Sequence, residues 1–96
     1  MVRHFVMFKF KPETETERRM AFVQRLLRLT DEVEVIRALE VGQNFTKTAR
    51  ACDLVLIVDL DDEEALKTYG DHPNHQPVKQ MIAEICSETR VVDYVI

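Results

Sequence analysis

The sequence predicts an α+β domain of the ferredoxin-like βαββαβ plan, built on a four-stranded antiparallel sheet. Three observations carry this. Strand-favouring apolar residues form four runs, two amphipathic stretches at helical spacing lie between them, and the order is strand, helix, strand, strand, helix, strand. Two helices can cover only one face of such a sheet, yet all four strands carry apolar residues on both faces. The economical cover for the second face is another copy of the chain, so a homodimer is expected. The 96 residues make one domain, 1–96.

Each element has its own signal. Residues 2–10 alternate as a strand, with Phe5 and Met7 on one face and Val2, His4, Val6, Phe8 and Phe10 on the other. Pro12 closes it. Thr14 and Glu17 have the spacing of a capping box, ahead of a helix over about 15–29 whose inner face is Met20, Phe22, Val23, Leu26, Leu27 and Leu29. Thr30 and Asp31 end that helix. Val33, Val35, Leu39 and Val41 predict the second strand, with Arg37 an interrupting charge near an edge. A loop carrying Phe45 follows. Residues 52–60 read as the central strand, in which Asp59 stands out among apolar neighbours. Asp61 and Asp62 offer caps to a helix with Ala65, Leu66 and Tyr69 inside. Val78, Met81, Ile82 and Ile85 recur at i, i+3, i+4 and i+7 as a further helix, and residues 90–96 predict the last strand.

Composition narrows the function. Hydrophobic residues make up 46% and charged residues 31%, an ordered globular balance. A net charge of -4 with scattered basic residues argues against nucleic acid as a partner. Arg18, Arg19, Arg25 and Arg28 do cluster, but behind Glu13, Glu15 and Glu17, the order that suits a helix dipole. No apolar run is long enough to span a membrane, and the N-terminus enters a strand at once, so a cytoplasmic protein is expected. Cys52 and Cys86 are isolated, each in an apolar pattern, and are expected as small buried hydrophobes. No glycine-rich phosphate loop, Ser-His-Asp set or dinucleotide fingerprint occurs. Two histidines three apart lack a third evident metal donor, so no cofactor and no metal are expected.

The chemistry gathers in Tyr69-Gly70-Asp71-His72-Pro73-Asn74-His75, where a helical pattern breaks and restarts. Pro73 and Pro77 each push the preceding residue out of helix, or open a new turn. Histidine exchanges protons near neutrality, and a tyrosine hydroxyl can hold a carbonyl or a developing enolate. His75 and Tyr69 are therefore the candidate catalytic pair, with His4, His72 and Tyr94 as candidate pocket residues. His72 has a competing structural role as a cap at the helix break.

Four segments together resemble the stress-responsive dimeric α/β-barrel domain family: residues 2–11, residues 39–44, Tyr69 to His75 with Val78, and residues 91–94. The resemblance spans the chain and implies homodimers, or larger assemblies of them, whose two sheets close into a barrel. One similar protein, a plant polyketide cyclase that makes olivetolic acid, shares the Tyr-x-x-His-Pro-x-His signature. It implies His75 as general base, Tyr69 as the orienting tyrosine and His4 as a strand histidine beside them. Two functions follow: a homodimer that binds a small apolar or aromatic molecule between helices and sheet, or a cofactor-free lyase or cyclase of aldol type. Catalysis requires an apolar cavity beside His75 and Tyr69.

Overall fold

Leu54–Leu60 (β3) alternates between buried Leu54, Leu56, Val58 and Leu60 and half-buried Val55, Ile57 and Asp59. That alternation fixes which face of the sheet meets the helices. The computed structural model describes all of residues 1–96. In chain order the elements are β1 (Val2–Phe10), α1 (Thr16–Leu27), α2 (Leu29–Glu32), β2 (Ala38–Gln43), β3, α3 (Glu63–Asp71), a 3-10 turn (Pro73–His75), α4 (Gln76–Ile85) and β4 (Cys86–Val95). The strands lie in the order β2-β3-β1-β4, antiparallel throughout. This is the predicted ferredoxin-like βαββαβ plan, with β1 and β3 in the centre.

The helix-facing side of the sheet, including Val6, Phe8, Phe10 and the four leucine and valine positions of β3, packs on Phe22 and Leu26 of α1, Tyr69 of α3 and Val78 and Ile85 of α4. Phe8 and Phe10 both meet Phe22 edge-on. Each fully buried side chain here contributes about 1.5–3 kcal/mol by removal from water. The other side of the sheet carries Phe5, Met7, Val55, Ile57, Val92 and Tyr94, and no element of the chain covers it.

Several local expectations need correction. Thr14 and Glu17 form no capping box: the helix begins after Glu15 without a side-chain cap, because Thr14 is buried and its hydroxyl donates to the Ile85 carbonyl across the fold. The first helix does not run unbroken to Leu29 but stops at Leu27 and restarts as α2. Val33 and Ile36 belong to the turn after α2, not to β2. Both are buried, and their amides reach back to Leu29 and Val33 carbonyls, so their apolar spacing reports burial and not strand pairing. β4 starts at Cys86, directly from the end of α4, four residues before the expected Arg90.

The two odd charges are accounted for. Asp59 receives both Nε and Nη2 of Arg3, at 2.8 and 3.0 Å, on the uncovered sheet face. That guanidinium holds the Asp59 carboxyl below its ordinary range. Arg37 forks onto Asp61 at the surface. Cys52 and Cys86 are half-buried and unpaired, and burial pushes the Cys86 thiol up to about 11. No helix is long and apolar enough to cross a membrane.

Candidate functional site

The site is made by the way α3 ends. Asp62 caps its start, accepting the Ala65 amide at 2.8 Å. Ala65, Leu66 and Tyr69 then turn inward, and Tyr69 is 1% exposed. Pro73 forbids continued helix at His72, which sits extended at φ -60°, ψ 137°. The chain tightens into the 3-10 turn, and α4 starts with Pro77 in its first turn. His75, at the end of that turn, is thereby folded back over Tyr69, with ring centroids 4.5 Å apart. On the other side, His4 of β1 meets Tyr69 edge-on at 5.7 Å. Tyr69 is the middle ring of three.

Two polar atoms in this cluster are buried with no hydrogen-bond partner, Tyr69 Oη and His75 Nδ1. Their titration reflects the same enclosure. Burial drives the Tyr69 hydroxyl above the tyrosine range. Burial, helped by the nearby Lys79 charge, lowers His75 to about 4, against an opposing pull from the Gly70 carbonyl. The His75 ring is therefore neutral at pH 7. His4 Nδ1 lies 2.5 Å from Asp93 Oδ1, with the His4 side chain 16% and the Asp93 side chain 41% exposed. The cluster thus has a polar edge at β4.

Asp93 escaped the sequence analysis. Its signal lies in the β1–β4 register, which sets His4 opposite Asp93 and Arg3 opposite Tyr94. The same register removes Tyr94 from the site. Successive strand residues point to opposite faces, so Tyr94 sits with Arg3 on the uncovered side while His4 faces the helices. His72 also leaves the cluster. Its Nδ1 accepts the Asn74 amide at 3.0 Å, capping the 3-10 turn, and its Nε2 lies 3.4 Å from Glu34.

The apolar cavity expected beside His75 and Tyr69 is not among the five main cavities, none of which either residue lines. The largest, about 650 Å³, lies under the 44–51 loop beside Lys9, Arg19 and Phe45. His72 lines another, with Lys67, Asp71 and other residues, none of them hydrophobic. The physical reason is that the Tyr69 ring itself fills the space between His4 and His75. No three His, Cys, Asp or Glu side chains converge as a metal-binding group.

Comparison with known proteins shows the family and the fold. An uncharacterized protein of Streptomyces coelicolor is 33% identical over 78 residues, 79% of this chain and 80% of that protein. The crystal structure of a dimeric protein of unknown function and ferredoxin-like fold from Bacteroides fragilis is 27% identical with a TM-score of 0.84, covering 99% of this chain and 95% of that one. A hydroxynitrile lyase from Passiflora edulis reaches a TM-score of 0.89 over 99% of this chain and 92% of that one, but at 13% identity it shares the fold alone. The family model described as the stress responsive A/B barrel domain (Dabb) matches residues 2–96. The chain belongs to the stress-responsive A/B barrel domain family.

Proposed function

We propose that the chain works as a homodimer, sheet against sheet, and that each copy binds a small apolar or aromatic molecule at the His4–Tyr69–His75 cluster. One observation carries the ligand: Tyr69 Oη and His75 Nδ1, on two rings whose centroids lie 4.5 Å apart, are both buried without partners. An unsatisfied buried polar atom costs about 1–3 kcal/mol, and groups kept at that cost are characteristic of functional sites. A ligand with one oxygen and an apolar body satisfies both atoms and stacks on the rings. Because the cluster is closed, binding requires Tyr69 or the 72–75 turn to move. The dimer is supported by the uncovered apolar sheet face and by the dimeric Bacteroides fragilis relative.

A second function is favoured by the neutral His75 ring, whose Nδ1 has no partner: a cofactor-free lyase or cyclase with His75 as general base and Tyr69 orienting the substrate. Its likeness to the polyketide cyclase rests on Tyr69, His75 and His4. It ranks below binding for two reasons. A base held at about 4 is a weak proton acceptor at neutral pH, and no main cavity opens beside it.

A thermal-shift screen of the full chain against aromatic and polyketide-like acids tests both. Wild type should gain about 2.7 kcal/mol of stability at a hundredfold excess over Kd, and Tyr69→Ala should gain nothing. Under binding alone no product forms, and His75→Ala changes affinity only. Product formation that disappears in His75→Ala promotes the second function. A screen in which no such compound shifts the unfolding midpoint overturns the ligand assignment.

A further inference from the structure

The 3-10 turn that carries His75 rests on Tyr69 through the His75 ring and is otherwise held by polar ties. None of its three residues is buried in the core. Instead, Arg25 of α1, itself 12% exposed, spreads its guanidinium between two partners. Nη1 meets Oε1 of Glu32 in α2, and Nη2 donates to the Asn74 backbone carbonyl at 2.9 Å. The Asn74 side-chain amide closes the triangle by donating to the Glu32 carbonyl at 3.0 Å. Three separate elements therefore meet at one guanidinium. Only a planar fork reaches a carboxylate and a carbonyl in this way; a lysine ammonium is a single point charge.

The closed turn also works against itself, since its own His75 Nδ1 is buried without a partner. Opening would give that atom to water. A segment with no residue in the core and an internal cost opens locally unless something ties it down.

We propose that Arg25 is the positioning residue of this site: with Glu32 and Asn74 it latches the 3-10 turn shut over Tyr69, and releasing it opens His75 and Tyr69 to solvent and ligand. The purpose of the latch rests on the binding function proposed above, but its existence does not. The test therefore uses no ligand. The groups that surround the His75 ring are Tyr69 on α3, His72 before the turn, Lys79 on α4, and His4 of β1 backed by Asp93 of β4. None of these groups is altered in the variants below. Arg25→Met also removes the Arg25 charge, which Arg25→Lys and Asn74→Ala retain, so the change those two share with it reports the turn.

The experiment is an NMR pH titration of the His75 ring in the labelled full chain. In wild type the ring should stay neutral down to about pH 4. In Arg25→Met it should titrate at least one pH unit higher, a tenfold gain in proton affinity, with native far-UV circular dichroism retained. Arg25→Lys should fall between the two. Arg18→Met, which removes only the surface pair with Glu84, should match wild type. Asn74→Ala keeps the Arg25 bonds to Glu32 and to the residue-74 backbone carbonyl and removes only the amide bond to the Glu32 carbonyl. It should raise the value in the same direction but by less than Arg25→Met, which preserves the test if Arg25→Met does not fold. The latch is overturned if His75 titrates identically in wild type and in either folded latch variant, or if it already titrates near 6.5 in wild type. Failure of the ligand screen with a successful titration would remove the binding function and leave the latch standing.

Discussion

The Tyr69 hydroxyl carries a cost that a single substitution can expose. Removing an unpartnered buried donor keeps the ring and its packing while ending the desolvation penalty. Tyr69→Phe should therefore stabilise the free protein, by about 1 kcal/mol, where most core substitutions destabilise. Chemical denaturation of the two proteins checks this. A loss of more than about 1 kcal/mol would mean the hydroxyl has a partner after all. His75 makes a second residue-scale prediction. Its folded value is lowered from the ordinary 6.5 to about 4, so between those limits the unfolded chain binds a proton the folded chain refuses. Stability is then present above about pH 6.5 and lost as pH falls toward 4. The ring is half-buried, so its share is discounted to about 1–2 kcal/mol. Unfolding midpoints of wild type and His75→Gln against pH isolate it, because His4 and His72 are common to both. Equal losses in the two proteins would dismiss the effect. The carboxyls of Asp59 and Asp61, held low by Arg3 and Arg37, lose their contribution at lower pH still.

At the scale of elements, the sequence was legible wherever an uninterrupted apolar pattern fitted one type of element. β1 and β3 are short runs apolar on both faces, as strands of a sheet covered on both sides are, and α4 carries an unbroken i, i+3, i+4, i+7 stripe. Asp62 was legible as a cap because nothing else competes for its carboxylate. Where tertiary partners competed, local signals misled. Thr14 has the spacing of a cap but gives its hydroxyl to Ile85, seventy-one residues away. Val33 and Val35 alternate like a strand yet lie in the turn after α2, with Val33 fully buried there. The candidate site divides along the same line. Tyr69 and His75 are close in sequence, and Pro73 between them dictates the fold-back, so their meeting was readable. Asp93 and Tyr94 depend on the β1–β4 register, a long-range quantity that no local pattern encodes. A shift of one residue would have exchanged their faces. Arg25 was legible only as one of four arginines, since its partners Glu32 and Asn74 come together only in the folded chain.

For the whole molecule, the decisive feature is the face of the sheet that the helices leave bare. Phe5, Met7, Val55, Ile57, Val92 and Tyr94 lie there together, and Met7, Val92 and Tyr94 are all exposed in the single chain. A contiguous exposed apolar surface of this kind marks an interface, and a two-fold pairing lets one patch cover its own copy. The Arg3–Asp59 pair lies on the same face. It would enter the interface already neutralised, with both carboxylate oxygens hydrogen-bonded by Nε and Nη2 of Arg3, which limits the desolvation cost. Light scattering at micromolar concentration should therefore give twice the 11.2 kDa chain mass. Ile57→Glu places an unpaired charge at the middle of that face. In a monomer the position is half-exposed and tolerates it; in the dimer the charge loses water without gaining a partner, which costs about 3–5 kcal/mol. The variant should fold and run as a monomer. Val91→Lys provides the contrast, because Val91 lies on the helix-facing side of the edge strand β4 and should leave the dimer intact. The opposite result, a dimer that survives Ile57→Glu and falls apart with Val91→Lys, would move the interface to the exposed edge of β4 and bring the partner alongside His4 and Asp93.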